Sequence, residues 1–214
     1  MSRYRTILFD LDGTLIDTRK GIMNCLRHTF DTLGLPQPDD ADRFLGPPLP
    51  YSFRKFCGMN EEETSEAVRI FREKYSRDEL FNAEVFGGIT ELLDALKDRG
   101  YVLAVATCKI EKYARLILDR FGISRYFKVI GGSTGTRVTK EEVIAHVRRE
   151  LGDPDISQML MIGDRDNDIL GAKAVGIGCL YALWGYGSFD EAYEYGASAA
   201  AGTPMDCLGY IEAH

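Results

Sequence analysis

Thr6-Ile7-Leu8-Phe9-Asp10-Leu11-Asp12-Gly13-Thr14-Leu15 lies close to the amino terminus, and its reading decides the fold. Ile7-Leu8-Phe9 is a short, uninterrupted apolar run, which predicts a strand buried on both faces. That strand delivers two carboxylates, Asp10 and Asp12, into the turn that follows. Gly13 fills no core, so it marks a turn that a side chain would obstruct, and Thr14 stands ready to satisfy donors at the next segment. Taken alone, Asp-x-Asp-Gly-Thr is equally an ordinary strand ending in an Asx-rich turn. The flanking sequence separates the two.

Downstream the pattern turns helical and stays so. Ile22, Leu26, Phe30 and Leu33 recur at helical spacing until Gly34 and Pro36, Asp39 to Leu45 reads as a short second helix, and Tyr51 to Cys57 as a third. Asn60 with Glu63 forms an N-terminal cap for a fourth helix carrying Ala67, Val68, Phe71 and Tyr75. Residues 16–82 are therefore expected to be all-helical, with no strand. From Val85 helices and strands alternate, with strands over Tyr101 to Ala106, at Phe127, Val129 and Ile130, at Met159 to Ile162, and at Ile177 to Tyr181. Capped helices begin at Thr139 with Glu142, Ser188 with Glu191, and Thr203 with Asp206. This alternation predicts an α/β, Rossmann-like, doubly wound parallel sheet. The first strand is cut off from the others by the helical unit, so the expected organisation is a core of residues 1–15 and 83–214 with a helical cap of 16–82 inserted after the first strand. Such a cap would sit over the carboxyl ends of the strands, where open parallel sheets bind ligands.

Composition narrows the function classes. A length of 214 residues with 45% hydrophobic and 28% charged residues fits a soluble globular protein. The net charge of -7 disfavours non-specific binding to nucleic acid or anionic membrane. No apolar run reaches the ~18 residues of a membrane span, and the strand pattern begins too early for a signal peptide. Five scattered cysteines without Cys-x-x-Cys read as free thiols in a reducing cytoplasm, not as a zinc site or a disulfide framework. The expectation is a cytoplasmic protein, monomeric or a weak homodimer, with neither nucleic acid nor membrane as partner.

The polar residues at predicted strand ends are Asp10 with Asp12, Thr107, and Asp164, and Lys140 starts the helix after another strand. A parallel sheet gathers these positions along one edge. Asp-bearing strand ends supply hard oxygen ligands suited to Mg²⁺. Thr107 and Lys140 suit an anionic group such as phosphate. Asp164-x-Asp166-x-Asp168 resembles the start of an EF-hand loop, but Ile169 and Val175 stand where that loop needs Gly and Glu, so a calcium site is rejected. Acidic residues favoured in a helix's first turn account for Asp166 and bear on Asp168.

With Asp10-Leu11-Asp12-Gly13-Thr14, then Thr107, Lys140, and Gly163-Asp164 with Asp168, the chain resembles the haloacid dehalogenase-like superfamily of phosphatases. The helical insertion looks like that superfamily's type 1 cap. Phe44-Leu45-Gly46-Pro47-Pro48-Leu49, Ala106-Thr107-Cys108-Lys109, Gly163-Asp164-Arg165 and Leu183-Trp184-Gly185-Tyr186-Gly187-Ser188 look most like the phosphoglycolate phosphatase-like subgroup. The resemblance implies that Asp10 attacks phosphorus to form an aspartyl-phosphate and that Asp12 protonates the leaving oxygen and later activates water. It implies Mg²⁺ held by Asp10, the backbone carbonyl of Asp12, and Asp164, with Thr107 and Lys140 on the phosphoryl oxygens. Asp168 would orient the metal shell or Lys140. Cys108 occupies a position where relatives often have Ser or Asn; it either fills space or makes the site sensitive to oxidation. The loop of residues 132–137 is shorter than is usual in the subgroup.

The implied activity is a Mg²⁺-dependent phosphatase acting on a small phosphorylated metabolite. A phosphoglucomutase-type transferase, a nucleotidase and a pyrophosphatase are alternatives on the same core. Asp12 argues against a dehalogenase, which needs no acid there. A purely phosphoprotein-binding domain would predict a lost carboxylate, and none is missing. The Gly46-Pro47-Pro48 loop, Arg43, Arg54 and Lys55 are candidates for reaching the leaving group. Trp184 and Tyr186 are expected chiefly to pack.

Overall fold

The computed structural model describes residues 2–214. Strand β1 (Thr6–Phe9) is buried at all four positions. A two-residue strand β2 (Ile16–Asp17) follows, then helices α1 (Arg19–Leu33), α2 (Leu49–Cys57) and α3 (Glu61–Lys74), and a second two-residue strand β3 (Glu84–Val85). Helix α4 (Ile89–Asp98) opens the alternating part: β4 (Val102–Ile110), α5 (Glu111–Arg120), β5 (Val129–Ser133), α6 (Lys140–Glu150), β6 (Met159–Gly163), α7 (Asp166–Val175) and β7 (Gly178–Ala182). Helix α8 (Phe189–Glu194), strand β8 (Ala199–Ala201) and helix α9 (Pro204–Ala213) end the chain.

Six strands form one sheet in the order β5-β4-β1-β6-β7-β8, and each pairing is parallel. Its centre is β1, whose Thr6 registers with Val102 on one side and Met159 on the other. Because helices cover both faces, the strand interiors are apolar throughout: Ile7, Leu8, Phe9, Ala104, Val105, Leu160, Met161 and Ile162 are all inaccessible. The order reverses direction at β1, so the turns after β1, β4 and β6 come together at one crevice.

The helices form where their caps and apolar stripes direct. Asn60 with Glu63, and Thr139 with Glu142, make reciprocal capping boxes at α3 and α6. The helical segment has an aromatic centre in which Phe44 meets Phe53 at 5.3 Å and Phe56 at 5.7 Å between ring centroids. Edge-on pairs of this kind stabilise by about 0.5–1.5 kcal/mol beyond their area. After α3 the chain widens into a π-helical turn over Tyr75–Glu79, a conformation often found beside functional sites.

Several expectations are corrected. Residues 16–82 are not free of strand, because Ile16–Asp17 pairs antiparallel with Glu84–Val85 where the chain leaves and rejoins the sheet. Asp39 to Leu45 holds only a 3₁₀ turn, Ala41–Phe44, since Gly46 has a positive φ and Pro47 and Pro48 carry no N–H to continue a helix. Strand β5 starts at Val129 and Phe127 precedes it. Strand β4 runs past Thr107 to Ile110, but its register with β5 shifts between Ala106 and Ile110. That irregularity turns Thr107, Cys108 and Lys109 out of the regular ladder. Strand β8 was not anticipated: Ala199-Ala200-Ala201 has no strand propensity of its own, yet it completes the open edge of β7.

Candidate active site

The turn after β1 is shaped by Gly13. Its φ is +84°, and a Cβ there would stand 2.1 Å from an oxygen of Asp164. Glycine is therefore required twice, for the backbone conformation and for the close approach. Gly185 closes the other side, where a Cβ would fall 2.3 Å from the Cβ of Asp164. Thr14 was expected to serve the next segment; its hydroxyl instead donates to Asp164 Oδ1 at 2.7 Å. Asp164 Oδ2 accepts from the backbone N–H of Tyr186 at 2.9 Å.

Asp10, Asp164 and Asp168 are buried, and each offers a carboxylate oxygen within 4.8 Å of the others. Lys140 Nζ donates to Asp10 Oδ1 at 2.7 Å and to the carbonyl of Ala106 at 3.0 Å. It also lies 2.7 Å from Asp168 Oδ1, which makes no well-directed hydrogen bond. Asp168 Oδ2 accepts from the N–H groups of Asp164 and Arg165, both at 3.1 Å, which fixes the loop after β6. Burial pushes Asp10 up to about 6, opposed by Lys140 and reinforced by Asp168. Burial likewise raises Asp164 well above the usual carboxylate range, with Asp168 and Asp10 adding to the effect. For Lys140 burial acts downward, but the carboxylates of Asp10 and Asp168 prevail and hold it well above its usual value. Three buried carboxyl groups share one ammonium, and the raised Asp10 and Asp164 mark a cluster short of positive charge. Hard oxygen donors in that state are what a divalent cation such as Mg²⁺ requires, so the donor set fits one.

Asp12 faces away from this cluster. Its Oδ1 accepts from Thr18 Oγ1 at 2.7 Å, and Lys109 Nζ donates to both of its oxygens, at 3.0 and 3.1 Å. Lys109 also lies 4.7 Å from the centroid of the Tyr75 ring, so it joins the turn after β1 to the π-helical turn of the helical segment. Its contact with Asp12 was missed, because no local pattern links residues 97 positions apart. Thr107 is buried one residue after Ala106, whose carbonyl accepts from Lys140, and its hydroxyl accepts from the N–H of Lys109 at 3.2 Å. Cys108 accepts from Asn167 Nδ2 at 3.6 Å, and burial pushes its thiol up to about 11. A thiol in that state is a poor nucleophile, which opposes the reading of Cys108 as oxidation-sensitive.

A cleft of about 390 Å³ opens between the strand ends and the helical segment. Asp12, Cys108 and Lys109 line it together with the Gly46-Pro47-Pro48 loop, Arg54 and Arg72. Of the expected cap residues, Arg43 and Lys55 do not line it, and Arg43 pairs with Asp40. Trp184 and Tyr186 do more than pack. Trp184 Nε1 donates to the carbonyl of Thr14 at 3.0 Å, and Tyr186 Oη accepts from the N–H of Thr18 at 2.7 Å. Arg165 spans from Glu191 at 3.2 Å to the carbonyl of Leu45, which ties the loop after β6 to the cleft loop.

Residues 7–182 match the family model described as haloacid dehalogenase-like hydrolase. The chain is 45% identical over 193 residues to a 5'-nucleotidase of Pseudomonas aeruginosa, covering 88% of this chain and 87% of that one. It is 34% identical over 186 residues to a phosphoglycolate phosphatase of Aquifex aeolicus, covering 85% of this chain and 86% of that one. A crystal structure of a predicted phosphatase from Clostridium acetobutylicum superposes with a TM-score of 0.94 at 32% identity, covering 99% of each chain. Match, fold and strand-end carboxylates agree: the chain belongs to the haloacid dehalogenase-like hydrolase family, as a phosphoric monoester hydrolase resembling its phosphoglycolate phosphatase-like members.

Proposed function

We propose that this protein is a Mg²⁺-dependent phosphatase that hydrolyses the phosphomonoester of a small metabolite through an aspartyl-phosphate on Asp10. The observation that carries the reading is the placement of Asp10 beside Lys140 and inside the Asp10-Asp164-Asp168 cluster, with Asp12 two residues on and facing the cleft.

Asp10, Asp164 and the backbone carbonyl of Asp12 would hold the ion, with Asp168 positioning the shell and Lys140. Bound Mg²⁺ supplies charge neutralisation between an anionic nucleophile and an anionic ester. A carboxylate oxygen of Asp10 bonds to phosphorus as the phosphorus–alkoxide bond breaks, and Asp12 delivers its proton to the leaving oxygen. Water then attacks the phosphorus of the acyl phosphate, Asp12 takes a proton from it, and Asp10 is regenerated with release of phosphate. Lys140 and Thr107 hold the equatorial phosphoryl oxygens, where charge is greatest in transfer. Lys109 holds both oxygens of Asp12 at 3.0 and 3.1 Å, so Asp12 turns from Lys109 to reach the leaving oxygen.

Residues 16–82 act as a cap over the core of 1–15 and 83–214, with the β2–β3 pair at the two crossings and Arg165 as a tether. The free thiols of all five cysteines support a reducing, cytoplasmic setting. A second reading, a nucleotidase, is favoured by the cleft, since Phe44, Phe71, Tyr75 and Tyr113 offer more apolar surface than glycolate can cover. The test is phosphate release from phosphoglycolate, nucleoside monophosphates, sugar phosphates and pyrophosphate, with Mg²⁺ and with chelator. Metal-dependent release is expected. Release that survives chelator overturns the metal role, and phosphoryl transfer between sugar phosphates without net release would select the mutase.

A further inference from the structure

The charge of the cleft is opposite to that of the molecule. The chain carries a net charge of -7, yet the ionic residues lining the cleft are Asp12 against Lys109, Arg54 and Arg72. Lys109 and Asp12 neutralise one another at 3.0 Å. Two arginines remain. Among the described residues neither Arg54 nor Arg72 has a carboxylate within ion-pair distance, whereas Arg19, Arg43, Arg69 and Arg77 of the same helical segment each pair with an acidic side chain.

Those two charges are not needed for the phosphoryl group. The site for that group is served by Lys140, which is buried at Asp10 and lies outside the cleft lining. Arg54 and Arg72 are exposed, so they stand toward solvent while Asp12 and Lys109 lie deep. Between them runs an aromatic wall in which Tyr75 meets Phe71 and Tyr113, each at 5.9 Å between centroids. A ligand that fills the cleft from Asp12 outward thus meets an apolar middle and a cationic outer end. Arginine favours carboxylate and phosphate groups at such an end through its planar fork of donors.

We propose that Arg54 and Arg72 form a distal anion subsite, and that the preferred substrates are phosphomonoesters whose leaving alcohol has a ring or hydrocarbon body ending in a second acidic group. This rests on the phosphatase reading above and adds to it which residues select the leaving group and by what chemistry.

The test compares phenyl phosphate with 4-carboxyphenyl phosphate in the wild type, in Arg54→Gln/Arg72→Gln and in Arg54→Lys/Arg72→Lys. The readout is the ratio of kcat/KM for the two esters, so that effects common to both, including leaving-group chemistry, divide out between proteins. The ratio should fall by about tenfold in the double glutamine variant, the equivalent of about 1.4 kcal/mol, and by less in the double lysine variant. Raising ionic strength should lower the wild-type ratio but not that of the glutamine variant. A ratio unchanged by the double glutamine substitution would overturn the subsite. Release from neither ester by a wild type that does hydrolyse the metabolite panel would also overturn the subsite, whereas release from no ester of either set would remove the phosphatase reading and the subsite with it.

Discussion

Replacing Lys140 with Ala should destabilise the protein more than any exposed substitution, and in a pH-dependent way. The Lys140 side chain is 2% exposed, and its ammonium stands 2.7 Å from Asp10 and 2.7 Å from Asp168, with Asp164 in the same cluster. Alanine removes the one cation of that cluster and leaves its carboxylates without charge compensation. Breaking a buried pair from one side costs about 3–5 kcal/mol, a large part of the ~5–15 kcal/mol by which a folded protein is stable. The carboxylates can escape part of this cost by taking up protons. Asp10 is already raised by burial against the opposition of Lys140, so loss of Lys140 raises it further. A carboxyl raised on folding binds protons more tightly in the native state, so its penalty is absent at low pH and grows as pH rises from its unfolded value through its folded one. The variant's deficit should therefore be largest above about pH 7 and shrink below about pH 6, toward the unfolded value near 4. Lys140 itself is raised on folding, so its own contribution in the wild type is constant across this range and is lost only as pH climbs through its elevated value. The assay is urea unfolding followed by circular dichroism in chelator, at about pH 7.5 and about pH 5.5. A deficit under about 1 kcal/mol at the higher pH, or one that grows on acidification, would refute the reasoning.

Asp10→Asn should abolish turnover while the far-UV spectrum and unfolding midpoint stay close to wild type, because the amide still accepts from Lys140; wild-type turnover would remove Asp10 as nucleophile. Gly13→Ala should cost about 2–5 kcal/mol, combining a positive φ with a Cβ 2.1 Å from Asp164, and a loss under about 1 kcal/mol in urea unfolding would contradict that geometry. Saturating Mg²⁺ should raise the melting temperature of the wild type, by about 2.7 kcal/mol of stability at a hundredfold excess over Kd, and should raise that of Asp164→Asn much less. Glu191→Gln should loosen the loop after β6, since the Glu191 carboxylate accepts from Arg165, from Tyr181 Oη and from the N–H of Asp166. Amide exchange should then quicken around Asp166, and unchanged protection there would show the contacts to be dispensable.

The sequence by itself determined the local elements and their type, because these depend on neighbours a few residues away. An apolar run before Asp10, the capping pairs Asn60–Glu63 and Thr139–Glu142, and the alternation of helix and strand after Val85 are all short-range signals. They sufficed to place Asp10, Asp12, Thr107, Lys140 and Asp164 at one edge, since a parallel sheet allows few other arrangements, whereas Asp168 entered only through the family resemblance. The tertiary structure decided what depends on distant groups. Ala199–Ala201 became a strand because β7 offered an open edge, and the Ile16–Asp17 strand formed because Glu84–Val85 returned to meet it. Lys109 found Asp12, Trp184 found Thr14, and Arg165 reached Leu45 across separations of 97, 170 and 120 residues. Hydrogen bonds and ion pairs of this kind form only after the sheet has closed the intervening loops, and no periodicity in the chain encodes which side chains will then be opposite one another.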